Sequence, residues 1–365
     1  MKKNYFFLAV VALLLSIFSF AQSNRYSYKT EKVADDIYVL EPAINGYRWV
    51  TANIVVVINN DDVFVVDSGL LPSAAEEAIK EIKKLTNKPV RYLLNTHWHG
   101  DHWQGNEVFA REFPGIRIIA SERCKQAIER NGMYWVNMFY PKYLKMMIDI
   151  DANRLQKNDT ASTDKMSDKQ KNYIIEGLRQ IKLDSAEMKT LKPVVPNTTF
   201  TDKMVISTGN RDIELYYLGV GNTVGDAVAY LPKEKILITG DLVVYPSPYE
   251  SGAFSKEWIA TSQKLQTNFK YDILIPGHGI VQHDTTYLEF LNALFKEIAR
   301  QMSNAFAAGN TDTKSVKELV THKTVIDELN KDPRFTKYTS QLQPDFVPAA
   351  IESSFHDVKI RDFVN

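Results

Sequence analysis

Four side chains able to hold a metal fall within one hexapeptide, His97-Trp98-His99-Gly100-Asp101-His102, in a chain with only seven histidines. His97 and His99 alternate along the chain and so point to one side, whereas Asp101 and His102 lie past a turn at Gly100. The spacing offers two neighbouring ligand sets, His97 with His99 and Asp101 with His102. Imidazole nitrogen mixed with carboxylate oxygen suits zinc, with iron and manganese as other fits. Surface histidines beside a turn are the bland alternative; four ligand-type residues in so short a stretch speak against it. Cys124 is the single cysteine. An intrachain disulfide and a thiolate-rich structural zinc site are therefore excluded.

A ligand cluster needs a rigid frame. Val90 to Leu94 reads as a short buried strand that ends where the cluster begins, the usual place for residues that do chemistry. Upstream, the apolar runs Ile54 to Ile58 and Val63 to Val66, joined by Asn59-Asn60-Asp61-Asp62, predict a β-hairpin. Ala75, Ala78, Ile79, Ile82 and Leu85 recur at helical spacing. Ile116 to Ala120 reads as a strand, and a helix is expected around Glu122 to Glu129.

From about 133 to 192 the chain is rich in Lys, Asp, Met and Gln and reads as a helical insertion. Tyr134, Trp135, Phe139, Tyr140 and Tyr143 are expected to pack this insertion on the main body, with the lining of a substrate cleft as the alternative. Strands resume at Ile213 to Leu218, Ala227 to Leu231, Ile236 to Thr239 and Ile273 to Ile275. The strand-rich stretches, roughly 50–120 and 200–280, are alike. Each carries a hairpin whose second strand runs to an aspartate, Asp67 or Asp241, which suggests two stacked α/β halves. Tyr287, Leu291, Leu294, Phe295, Ile298, Met302 and Phe306 form one helical stripe, with Gly309 as a stop. Pro333, Pro344 and Pro348 punctuate a mixed tail, expected either to dock or to stay partly mobile.

The hexapeptide resembles the His-x-His-x-Asp-His motif of the metallo-β-lactamase superfamily, and the resemblance extends from about Ile37 to His278. Asp67 matches that family's aspartate after an early hairpin, Gly240-Asp241 its metal-bridging aspartate, and Pro276-Gly277-His278-Gly279 its last histidine. The resemblance implies an α/β fold, a four-layered αββα sandwich with metals at one edge between the sheets. To that the helical insertion and a helical C-terminal extension are added. The expected organisation is a signal peptide over 1–21, the sandwich domain over 25–283 and the extension over 284–365.

One position departs from the pattern. Where the family has Gly-His-Thr-x-Gly-Asp, this chain has Gly221-Asn222-Thr223-Val224-Gly225-Asp226, so Asn222 replaces a ligand histidine. An amide oxygen is a weak, neutral zinc ligand. The first site would then hold His97, His99, Asp241 and a weak or absent Asn222. The second would hold Asp101, His102, His278 and Asp241, giving one tight zinc site and one weaker. The other reading of Asn222 is a turn residue between glycines. Asp67 is expected to orient a ligand histidine through its other nitrogen, or else to cap a turn. His283 is expected on a separate loop, and His322 and His356 on the surface.

The implied activity is hydrolysis: a metal-held hydroxide attacks the carbonyl of a β-lactam, lactone, ester or thioester, or a phosphoester, with Asp101 orienting the nucleophile or passing a proton. Asp241 argues for caution on β-lactams, since many true β-lactamases of the family carry cysteine there. The alternative is a non-catalytic metal- or ligand-binding protein on a degenerate hydrolase scaffold, with Asn222 as the mark of decay.

Lys+Arg and Asp+Glu balance at 44 each, which gives no electrostatic case for nucleic acid or an anionic membrane; the expected partner is a small-molecule substrate. Lys2-Lys3, an apolar run from Tyr5 to Phe20 and the small residue Ala21 form a secretory signal pattern, so a periplasmic or secreted protein without stable membrane insertion is expected.

Overall fold

The computed structural model describes residues 26–43, 52–134, 136–137, 140–160, 166–249 and 255–364. The signal segment, Trp135 and Phe139 lie outside these, as do the side chains of Tyr134, Tyr140, Tyr143 and His356. The expectations placed on them are not addressed by the structure.

Seven strands form one sheet in sequence order: β1 (Tyr28–Ala34), β2 (Ile37–Pro42), β3 (Ile54–Ile58), β4 (Val63–Val66), β5 (Val90–Leu94), β6 (Arg117–Ser121) and β7 (Thr198–Phe200). Five form the second: β8 (Lys203–Ser207), β9 (Asp212–Tyr217), β10 (Ala227–Leu231), β11 (Ile236–Ile238) and β12 (Ile273–Ile275). The helices are α1 (Pro72–Leu85), α2 (Gly100–Trp103), α3 (Asn106–Glu112), α4 (Glu122–Tyr134), α5 (Tyr140–Thr160), α6 (Asp168–Met188), α7 (Ser255–Asn268), α8 (Thr286–Ala307), α9 (Thr313–Leu319), α10 (His322–Leu329), α11 (Thr336–Thr339) and α12 (Phe346–Val364).

Strand alternation sorts the apolar side chains into layers. Val55, Val57, Phe64 and Val66 face Leu215, Ala227, Ala229, Ile236 and Ile238 across the gap between the sheets. Their neighbours Ile54, Val56, Val63 and Val65 pack outward on Ala75, Ala78, Ile79 and Ile82 of α1. On the far side, Val228 and Leu237 pack on Trp258, Leu291, Leu294 and Phe295 of α7 and α8. The result is an αββα sandwich. Strands β3 and β4, buried on both faces, therefore read as continuous apolar runs rather than alternating ones.

The two halves repeat a pattern. In each, an antiparallel hairpin (β3–β4, β10–β11) is followed by a strand parallel to its second member (β5, β12). Asp67 follows β4 and Asp241 follows β11; His97 follows β5 and His278 follows β12.

The insertion is the helix pair α5–α6. Ser167 caps α6 in a reciprocal box with Gln170, which fixes its start. The pair is fastened beside the loop after β4: Leu144, Ile181 and Met188 cluster with Leu70 and Leu71. Glu187 also accepts hydrogen bonds from the Ser73 amide and hydroxyl. The proline-punctuated tail ends in α12, whose Phe346, Val347, Ala350 and Ile351 are buried in the α7–α8 core.

Candidate metal centre

Each predicted histidine and aspartate ligand sits just past the C-terminal end of a strand: His97 to His102 after β5, Asp241 after β11, His278 after β12. Asn222 lies in the loop between β9 and β10. Gly240 has φ +51°, and Gly277 packs so closely that an added Cβ would stand 2.1 Å from Asp241 Oδ1. These two glycines let the Asp241 turn lie against the β12 loop.

His97 Nε2 and His99 Nδ1 are 3.0 Å apart, and His97 Nε2 is 3.6 Å from Asp241 Oδ2. The other oxygen of the same carboxylate, Asp241 Oδ1, is 3.4 Å from both His102 Nε2 and His278 Nε2. Asp101 Oδ2 stands 3.4 Å from His102 Nε2 and 3.1 Å from His278 Nε2. Ligands bonded to one tetrahedral zinc ion at about 2.0–2.1 Å are separated by about 3.3–3.4 Å. The four carboxylate-to-imidazole separations, 3.1–3.4 Å, lie close to those edges, and Asp101, His102 and His278 offer ligand atoms mutually within 4.8 Å. Asp241 faces both ligand sets, one oxygen to each. The ring centroids of His97 and His102 are 4.0 Å apart, and their nitrogens with Asp241 lie mutually within 4.8 Å, so His102 borders both sets.

Buried polar atoms point the same way. His102 Nε2, Asp241 Oδ1 and Asn222 Oδ1 are buried and have no hydrogen-bond partner among the described residues. Such atoms are costly unless something outside the chain satisfies them, and a metal ion held by the second set would satisfy His102 Nε2 and Asp241 Oδ1 together. The residues present thus fit a metal centre.

Asp67 is buried and adopts φ +63°. Its carboxylate accepts the Thr96 amide at 2.8 Å and the Thr96 hydroxyl at 2.9 Å, and lies 2.7 Å from His102 Nδ1. With His102 Nε2 turned to the ligand set, Nδ1 carries the hydrogen and donates to Asp67, which fixes ring and tautomer together. Thr96 does the same for His97, whose Nδ1 lies 3.1 Å from the hydroxyl. One threonine and one aspartate therefore orient a histidine from each set. Thr96 went unremarked in the sequence; its only signal is its place directly before His97. A buried amide pair, Asn95 with Asn106, adds support by donating from Asn95 to the His102 carbonyl at 3.0 Å.

Electrostatics follow from crowding. Burial would raise the Asp101 and Asp241 carboxyls, but the facing histidines outweigh it and hold both far below the usual range. Burial works against a charge on His278, yet Asp241 and Asp101 push it up to about 9. His99 moves the other way, to about 4, because burial outweighs its carboxylate neighbours. The metal-free cluster is thus a carboxylate pair neutralised by protons on His102 and His278, protons a metal would displace.

Asn222 is buried, and its Nδ2 donates to the Tyr249 carbonyl at 2.8 Å. It is not among the residues with positive φ, so the structure gives no sign of the unusual backbone angles for which a turn would favour asparagine. His283 is exposed, 3.9 Å from Glu31, and lies outside both ligand groupings. His322 is partly exposed at the start of α10. Trp98 packs against Ala127, Val224 and Cys124.

The family model described as "Metallo-beta-lactamase superfamily" matches residues 47–278. A metallo-beta-lactamase type 2 of Bacteroides fragilis is 22% identical over 69% of this chain and 82% of its own length. A linear primary-alkylsulfatase of Pseudomonas sp. is 21% identical over 78% of this chain, which spans about half (51%) of that enzyme. Among solved structures, a metallo-beta-lactamase from Pontibacter korlensis superposes with a TM-score of 0.52 at 20% identity, covering 74% of this chain and 99% of that one.

Proposed function

This chain belongs to the metallo-β-lactamase superfamily, and on that premise we propose that it is an exported, zinc-dependent hydrolase acting on a carbonyl or ester bond of a small molecule. The family is one of metal-dependent hydrolases; zinc, export and the kind of bond are our reading. The observation that carries it is the Asp241 carboxylate, which offers one oxygen to each of two ligand sets at separations suited to metal ligation.

The sets differ in a way that assigns roles. Asp101, His102 and His278, with Asp241 Oδ1 facing both imidazoles, would hold a metal more tightly. His97, His99 and the second Asp241 oxygen would supply three ligands, with Asn222 a weak fourth or none, so this set would hold its metal less tightly and leave room for water. Zinc in such a site supplies an activated water at neutral pH and positive charge for the developing oxyanion. The chain does the rest. Asp67 and Thr96 keep the imidazole nitrogens aimed inward. His99, Asp101 and His278 are the partly exposed members, so substrate approaches over them. Asp101 is placed to orient the attacking water or take its proton.

The two curated relatives act on different bonds, as their names state, so the substrate must be found by assay. Zinc content per chain is measured first. The zinc-loaded protein is then offered a β-lactam, a lactone, a thioester, a phosphodiester and an alkyl sulfate. Turnover of one, abolished by a chelator and by Asp101→Asn, supports the reading. Asn222 in place of a ligand histidine favours a second reading, a non-catalytic binding protein, and zinc uptake without turnover of any member would select it. Export predicts that the mature chain begins near Gln22, which mass spectrometry of the secreted or periplasmic protein decides.

A further inference from the structure

We infer that Asn222 is a positioning residue that fastens the Tyr249 wall of the substrate cleft to the first ligand set. The cleft rests on the hydrolase reading above; the fastening does not.

Tyr249 is 43% exposed, and its ring meets His99 edge-on at 6.1 Å. Trp98 lies 5.4 Å from the same imidazole, so the most accessible stretch of the first set is flanked by two aromatic rings. The segment leading to Tyr249 is held at both ends. At its start, Val244 pairs with His278, the Tyr245 amide donates to the His278 carbonyl at 3.1 Å, and the Tyr287 hydroxyl of α8 donates to the Val244 carbonyl at 2.5 Å. At its far end, Asn222 Nδ2 donates to the Tyr249 carbonyl. The strap thus runs from a ligand of the second set to the place where the first set lacks its histidine.

An asparagine suits that place for a chemical reason. One planar amide carries both a donor and an acceptor. Here the donor is used on Tyr249, and the buried Oδ1, without a hydrogen-bond partner among the described residues, stays available as an acceptor or a weak ligand. A histidine ligating through one nitrogen would have only its other ring N–H, set at a different angle, to offer the strap.

Asn222→Asp keeps an oxygen and removes the donor; Asn222→Ala removes both. Hydrogen exchange at the Ser247 and Tyr249 amides, measured on the zinc-free full chain, should be about five-fold faster in each variant, as loss of one buried hydrogen bond implies. Zinc uptake at the first set should fall in Asn222→Ala but not in Asn222→Asp. On any substrate found, Asn222→Asp and Tyr249→Ala should each raise KM several-fold, and in KM the double variant should be no worse than Tyr249→Ala. Unchanged exchange at these amides in both variants would overturn the proposal, as would multiplicative KM effects. Because exchange needs neither zinc nor turnover, failure of the hydrolase reading leaves it decisive.

Discussion

At the scale of single residues, the site is a set of ligand atoms whose aim is fixed by neighbours that do not touch substrate. Asp67→Asn keeps the shape but replaces a carboxylate by an amide beneath His102 and Thr96. The expected cost is a 10–100-fold loss of zinc affinity, read by chelator competition, with the fold retained. Gly277→Ala should be more severe for the centre, because its Cβ meets Asp241 Oδ1 and the backbone at Gly240. That variant should lose the tight zinc while keeping its far-ultraviolet circular dichroism; retention of tight zinc would mean the turn yields more easily than its packing suggests. His97, His99, Asp101 and His102 stood out as ligand-type residues by their spacing, whereas Asp241 and His278 were picked out only by the resemblance to the superfamily. Thr96 and Tyr249 were not legible, since a hydroxyl and an aromatic ring carry no ligand signature. Only the fold shows that one lies behind the ligands and the other beside them.

At the scale of elements, the strands that carry the site could be read from their apolar runs. Ile54–Ile58, Val63–Val66, Val90–Leu94, Ala227–Leu231 and Ile273–Ile275 appear where the pattern places them; the first two are buried on both faces and so wholly apolar, and the others are largely so, with Arg91 exposed. The expected strand to Thr239 stops at Ile238, where the chain turns into the Gly240–Leu242 helical turn that presents Asp241. Strand β1, exposed along much of one face, gave little periodicity, and α7 was missed because its apolar residues are few and interrupted by polar ones. The C-terminal helices show a use that composition could not reveal. Tyr287 of α8 reaches the loop that pairs with His278, and Tyr245 bonds Gln341. Tyr287→Phe leaves the buried Val244 carbonyl without this donor. It should lower stability by about 1–3 kcal/mol in urea unfolding, with zinc affinity at the second set reduced alongside.

At the scale of the whole molecule, two stacked halves bring an aspartate and a histidine from each to one edge, and stability becomes linked to the charge there. In the metal-free chain His278 is raised from 6.5 to about 9. Its proton therefore favours the folded state fully below pH 6.5, and that contribution is lost as pH rises toward 9. Thermal unfolding of the zinc-free chain should fall between pH 6.5 and 9, and zinc should flatten the dependence by taking the proton's place. The most direct test of the account is a calorimetric titration of the zinc-free chain with zinc, repeated on His278→Ala. Two unequal steps are predicted, of which His278→Ala removes the tighter and spares the weaker. Two equal steps, or an unchanged tight step in His278→Ala, would contradict it.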